Sequence, residues 1–221
     1  MPVGLVAFDV GEVLVDETRL WGEWADWLGV SRLTFAAALG AVIAAGRHHL
    51  EACQMLRPGF DIAAARRERA VPDWWSRLEA ADLYPDALPC LRRLRQRGYR
   101  IAIAGNQSHV TEAALQRLGV EADLWGSSAA WGVEKPSASF FERLITEAGT
   151  GAGEIAYVGD RLDNDVLPAR RAGLVAVFLR RGPWGVIHAV RPEAASADLR
   201  IEDLDQLPDV FNRLKRDAAA P

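Results

Sequence analysis

Four segments of the 221-residue chain carry a distinctive polar residue where an apolar run gives way. Asp9 follows VGLVAF, Asn106 follows IAIAG, Lys135 lies in GVEKP ahead of a helical pattern, and Asp160 and Asp165 lie in GDRLDND after IAYV. Taken singly, an aspartate after a strand is ordinarily a turn former or helix cap, and a lysine is ordinarily solvated. Ligands of open parallel sheets, however, gather beyond the carboxyl ends of the strands. If these residues meet there, three carboxylates and one ammonium can hold a divalent cation beside an oxyanion. Magnesium takes one or two protein carboxylates, keeps several waters and accepts substrate oxygens, and a lysine meets the anion as a point charge.

The elements needed to bring them together are readable. VGLVAF, 3 to 8, lacks polar alternation, as expected of a parallel strand covered on both faces. PDALPCLRRLRQRG then leads into YRIAIAG, with Pro85 suited to a helix start and Gly98 to its end. The helix-then-strand unit recurs as VTEAALQRLG before DLWGSS, SASFFERLITEAG before IAYVGD, and NDVLPARRAG before LVAVFL. This is the pattern of a doubly wound α/β fold with right-handed crossovers.

Between the first two strands lies far more chain than one crossover needs. From Thr18 to about Ala81 its pattern is helical: TRLWGEWADWLG, then SRLTFAAALGAVIAAG with Ser31 as cap, then segments at 48–57, 61–70 and 73–80. Trp21, Trp24 and Trp27 recur at helical spacing, with Trp74 and Trp75 further on, as core packing of this insertion or as an aromatic substrate wall. Trp131, ahead of Lys135, is a candidate for the same wall, and His188 reads as a surface or loop histidine.

A formal net charge of −4 and a pI near 5.6 argue against nucleic acid or an anionic membrane as partner. Arginines 92, 93, 95, 97 and 100 cluster in one helical pattern among Leu91, Leu94 and Tyr99 and read as a solvated face. Cys53 and Cys90 stand apart from any metal-binding pattern and read as reduced core thiols. The longest apolar run, 35 to 46, is short of the ~20 residues that span a bilayer. Without a basic-then-apolar leader, a cytoplasmic location is expected.

The chain resembles the haloacid dehalogenase-like (HAD) hydrolase superfamily. FDVGEVL looks like its first motif, FDxDGTL; AGN at 104–106 stands in the place of its second, VEKP supplies the lysine of its third, and VGDRLDNDVLPARRAGL is similar to its fourth. LYPDALPCLRRLRQRGYRIAIAGN resembles the approach to the second motif, and the insertion sits where one subgroup carries a helical cap. The resemblance implies an α/β core at 1–15 and 83–221 with a cap at 16–82. It implies Asp9 as nucleophile forming an aspartyl phosphate, with Lys135, Asn106 and Gly105 at the phosphate. Mg2+ would be bound by Asp9, the Gly11 carbonyl, Asp160 and Asp165, the last as outer support. The expected reaction is hydrolysis of a small phosphate ester.

Two positions depart from that pattern. The family's acid two residues after the nucleophile protonates the leaving group and meets the metal through its backbone carbonyl; Gly11 retains only the carbonyl. Glu12 adjoins Gly11, but its side chain would leave the loop in a different direction; Asp16, Glu17, His48 and His49 are the other candidates, none distinguished by its neighbours in sequence. Gly105 stands where a serine or threonine usually binds phosphate, leaving a backbone N–H, with Ser108 as a helper or helix cap. Two alternatives therefore stay open: metal-independent carbon–halogen hydrolysis by the same aspartate, and a binding module with little turnover.

Overall fold

The computed structural model describes residues 3–61, 63–64 and 75–219. Six parallel strands form one sheet in the order β3-β2-β1-β4-β5-β6: β1 Leu5–Phe8, β2 Arg100–Gly105, β3 Leu124–Ser127, β4 Ile155–Gly159, β5 Val175–Leu179 and β6 Leu199–Ile201. The chain winds outward through β2 and β3, returns to the other side of β1, and winds outward again. The reversal falls between β1 and β4, where doubly wound sheets bind ligands. Phe8 pairs with Ile103 on one side and Val158 on the other, so Asp9, Asn106 and Asp160 all emerge at the same edge.

Strand periodicity divides the core. Val6, Phe8, Ile101, Ile103 and Val158 face one side, and Leu5, Ala7, Ala102, Ala104 and Tyr157 the other. Among the helices, α4 Ala87–Gln96, α5 His109–Arg117, α6 Ser128–Trp131, α7 Ala138–Ala148, α8 Leu167–Arg171, α9 Gly182–His188 and α10 Leu207–Ala219 flank or follow the strands. The insertion supplies α1 Thr18–Leu28, α2 Arg32–Ala44 and α3 Glu51–Leu56. Helix α1 stops at Gly29, whose φ of 71° gives the left-handed cap that a side chain would resist. Ser31 then caps α2 by accepting from the Thr34 N–H at 3.1 Å. Apolar residues of α1 and α2, among them Trp24, Phe35 and Val42, join the core on the Phe8 side of the sheet.

The insertion leaves and rejoins the sheet domain at one crossing, where Asp16 N donates to Asp82 O at 2.8 Å and Tyr84 N to Leu14 O at 2.9 Å. Of the expected later segments, 48–57 is represented by α3 and residues 75–77 form a 3₁₀ turn. Most of 61–70, and Trp74, lie outside the described residues. Strand β6 was not apparent in sequence, because three residues are too few to show a period. Cys53 and Cys90 are buried free thiols, pushed up by burial to about 11 and about 12. Arg93, Arg95 and Arg97 pair with Asp205, Asp123 and Asp209. No single helix among the described residues is long and apolar enough to cross a membrane.

Candidate active site

Asp9 leaves β1 with its N–H still donating to Val158 O at 3.0 Å, which fixes its position over the sheet edge. The chain then closes a tight loop in which Val13, Leu14 and Val15 all donate to Val10 O. Glu12 takes a φ of 54° in this loop, a left-handed conformation that costs a side chain about 1–2 kcal/mol. Its carboxylate offsets that cost by accepting from Glu17 N at 3.2 Å and from the Tyr84 hydroxyl at 2.6 Å. Gly182 makes the room: a Cβ there would stand 2.4 Å from Glu12 Oε2. Burial pushes Glu12 up to about 7, with Tyr84 pulling the other way.

Lys135 is buried and bridges two carboxylates, with Nζ 2.8 Å from Asp9 Oδ1 and 2.6 Å from Asp165 Oδ1. Burial opposes its charge, yet Asp165 and Asp9 outweigh burial and hold it well above the ordinary lysine value. Asn106 aims this lysine. Its side-chain amide donates to Lys135 O at 2.9 Å and accepts from Lys135 N at 2.8 Å.

Asp165 is held on both sides, its second oxygen accepting from Arg161 N at 3.0 Å. It reaches the sheet edge because residue 159 is glycine, where a Cβ would lie 2.3 Å from that of Asp165. Residues Leu162–Val166 form a π turn, and its first N–H, that of Leu162, donates to His188 Nδ1 at 3.1 Å. His188 is thus a buried prop of the acidic turn rather than a surface histidine, 2% exposed and pushed down to about 4 by burial.

This yields a pH prediction. The unfolded chain takes up the His188 proton near the ordinary histidine pKa and the folded chain only near 4, so its stabilising contribution is present at neutral pH and lost as pH falls between them. A His188→Gln variant keeps an acceptor for Leu162 without titrating. The wild-type advantage over it in urea unfolding should therefore shrink on going from neutral pH to about 4, by up to about 3 kcal/mol.

Asp160 differs from its neighbours in having a free oxygen. Its Oδ2 is buried with no hydrogen-bond partner among the described residues. Asp9, Asp160 and Asp165 each present an oxygen, all within 4.8 Å of one another. Burial, then Asp165, Asp9 and Glu12, raise Asp160 well above the carboxylate range. A buried carboxylate without a partner is costly, and a cation is the partner that this donor set fits: all oxygen, as magnesium prefers.

The two glycines are filled by neighbouring side chains. A Cβ at Gly105 would stand 2.3 Å from Asp9 Oδ1 and 2.6 Å from Gln107 Oε1, so glycine lets Asp9 lie against the end of β2. A Cβ at Gly11 would stand 2.5 Å from Glu17 Oε1. Glu17, at the start of α1, is buried, and burial, Glu12 and Asp9 raise it well above the carboxylate range. The Trp21 indole N–H pulls partly the other way at less than full hydrogen-bond geometry.

These groups open into a cleft of about 720 Å³ between sheet and insertion. Trp21, Trp24, His48 and His49 line the insertion side, and Arg161, Asn164 and Trp184 the sheet side. Trp21 lies 6.1 Å from Trp184, and Arg161 lies over the Trp184 ring at 5.1 Å. Trp27 packs edge-on to Trp24 and Phe60, so of these three tryptophans Trp21 and Trp24 reach the cleft while Trp27 packs within the insertion. Trp131 packs on Phe140 at 5.1 Å and is absent from the cleft lining. Ser108 lines the cleft, with its hydroxyl 3.2 Å from that of Thr111 and no side-chain cap bond. Arg161, Asn164 and Trp184 were not singled out from sequence; Arg161 adjoins Asp160, but an arginine in an acidic turn ordinarily reads as solvated.

Residues 3–173 match the family model of the haloacid dehalogenase-like hydrolases, and the chain belongs to that family. A glyceraldehyde 3-phosphate phosphatase of Methanopyrus kandleri is 34% identical over 137 residues, spanning 61% of this chain and 58% of that protein. A HAD phosphatase from Thermococcus onnurineus superposes with a TM-score of 0.58 at 22% identity, covering 96% of this chain and 98% of that one. An L-2-haloacid dehalogenase from Xanthobacter autotrophicus gives 0.65 at 18% identity, covering 95% and 98%. The fold is thus common to hydrolases of phosphate esters and of carbon–halogen bonds, and chemistry must be argued from the site.

Proposed function

We propose that the chain is a Mg2+-dependent phosphatase that cleaves a small phosphorylated metabolite through an aspartyl phosphate on Asp9. The observation that carries this reading is the unpartnered, buried Asp160 oxygen beside two further carboxylates. Metal-independent dehalogenation gives no reason for such an arrangement. The phosphatase relative, at 34% identity, supports the same choice.

Asp9, the Gly11 carbonyl and Asp160 would hold the ion, with Asp165 bracing the group through Arg161 N and Lys135. When bound, the ion neutralises phosphate charge that would otherwise repel the attacking carboxylate. Asp9 attacks phosphorus and splits one difficult displacement into two easier ones. Lys135 counters the charge that collects on the transferring group. Asn106 contributes by orienting Lys135, and the Gly105 N–H is the group left to meet a phosphate oxygen. We assign 1–15 and 83–221 to the catalytic domain and 16–82 to a cap that selects substrate with Trp21, His48 and His49.

A panel of phosphate esters and haloacids, assayed with Mg2+ and with chelator, tests the reading. Phosphate release that requires the metal is expected. Halide release insensitive to chelator, or ligand binding without turnover of any ester, contradicts it.

A further inference from the structure

The reaction proposed above needs a proton for the departing alkoxide and a base for the water that follows, and Gly11 supplies neither. The acids around the cleft differ in what already occupies them. Asp165 is held by Lys135 and Arg161 N, and Asp9 also meets Lys135. Asp160 belongs to the cation site. Glu12, next in sequence to Gly11, has one oxygen on Glu17 N and the other on the Tyr84 hydroxyl, and its carboxylate lies against Gly182. Asp16 turns back on the chain to accept from Thr18 N at 2.8 Å.

Glu17 is differently placed. Its carboxyl lies over Gly11, with Oε1 2.5 Å, Cδ 3.1 Å and Oε2 3.7 Å from where a residue-11 Cβ would stand. It lines the same cleft as Asp9, Lys135 and Asp160. Among the described residues no lysine or arginine closes an ion pair with it. Its backbone is fixed at both ends, the N–H by Glu12 Oε1 and the carbonyl by Trp21 N at 3.0 Å. A glycine at 11 and a glutamate reaching back from 17 thus form a complementary pair: the side chain missing from one position leaves the space that the other fills.

We propose that Glu17 is the general acid and base of this active site, presenting its carboxyl in the space left by Gly11. As the bond from Asp9 to phosphorus forms and the ester P–O bond breaks, the Glu17 carboxyl proton passes to the departing oxygen and leaves a carboxylate. That carboxylate takes a proton from the water attacking the aspartyl phosphate. The acyl-phosphate P–O bond breaks, Asp9 is regenerated, inorganic phosphate departs and Glu17 again carries its proton. The inference rests on the phosphatase reading of the site.

The test compares two esters. An alkyl phosphate such as glycerol phosphate needs its leaving oxygen protonated, whereas para-nitrophenyl phosphate does not. Glu17→Gln should lower kcat/KM for the alkyl ester by about 10²- to 10⁴-fold. With the aryl ester it should give a burst of about one nitrophenolate per active site followed by slow turnover, since the first step proceeds and the second lacks its base. The paired variant Gly11→Asp with Glu17→Ala moves the carboxyl to position 11 and vacates the space, and it should recover at least about tenfold over Glu17→Ala alone. It also covers the case in which Glu17→Gln does not fold. Equal losses on both esters without a burst, or no recovery in the paired variant, overturn the assignment. Wild-type protein that cleaves neither ester fails the phosphatase reading itself and this inference with it, a result distinct from a missing contrast between the esters.

Discussion

Asp9→Asn should abolish hydrolysis while leaving the protein as stable as the wild type or more so. The rate loss should be roughly 10⁴- to 10⁶-fold, the scale on which enzymes lose activity when a covalent nucleophile is removed. Asparagine keeps the volume and an oxygen that accepts from Lys135, whose Nζ is now 2.8 Å away. It also removes one of three carboxylates crowded within 4.8 Å. Asp9 is among the causes that raise Asp160 and Glu17, so both neighbours are relieved. A function-destroying, stability-neutral substitution is the signature of a site that holds electrostatic strain for its chemistry. Phosphate release and thermal unfolding together check it. An acid-quenched wild-type reaction should carry a phosphoryl adduct by intact mass that the variant lacks, and appreciable turnover by the folded variant would remove Asp9 from the mechanism.

The sheet and the site differ in how far sequence could reach them. β1 is buried throughout and reads as an apolar run, and Asp9 stands out because it ends that run. Asn106, Lys135 and Asp160 are visible for the same reason: each breaks a local pattern at a strand end or helix entry, and parallel register then gathers them. Glu17 was visible only as one of several nearby acids. Its relation to Gly11 depends on the path of a loop held by three N–H groups on Val10 O and by Glu12 at positive φ, and neither leaves a periodic trace. His188 and Trp131 fail for a related reason. A histidine or tryptophan near a loop reads alike whether it faces water or packs, and here His188 supports the acidic turn while Trp131 fills the space above Gly126, where a Cβ would meet its ring at 2.1 Å. The sixth strand and the Arg161–Trp184 contact likewise exist only once distant segments meet.

Lys135→Met is the second large effect, and it joins stability to metal binding. The lysine is 3% exposed and is the cation that touches both Asp9 and Asp165. Methionine fills similar space but leaves buried carboxylates facing one another, a change that costs about 3–5 kcal/mol when one partner of a buried ion pair is lost. The pH dependence follows from the signs. Asp160 and Asp165 are already raised in the folded state, chiefly by burial, and losing the ammonium raises Asp165 further. A carboxyl whose folded pKa lies above its unfolded value favours folding most in acid and loses that contribution as pH rises through the folded value. The variant should therefore approach wild-type stability near pH ~4 and fall away from it toward pH ~7. Mg2+ should narrow the gap at neutral pH, because a cation bound only by the folded state stabilises it by mass action and here replaces part of the missing charge. Turnover should not recover with it, since in the proposed mechanism Lys135 also counters charge on the transferring phosphoryl group, an effect worth roughly 10²- to 10³-fold. Thermal unfolding across pH with and without Mg2+, alongside phosphate release, separates these outcomes. A variant equally destabilised at every pH and indifferent to the ion would show that Lys135 holds the fold through its packing and not through the charges it bridges.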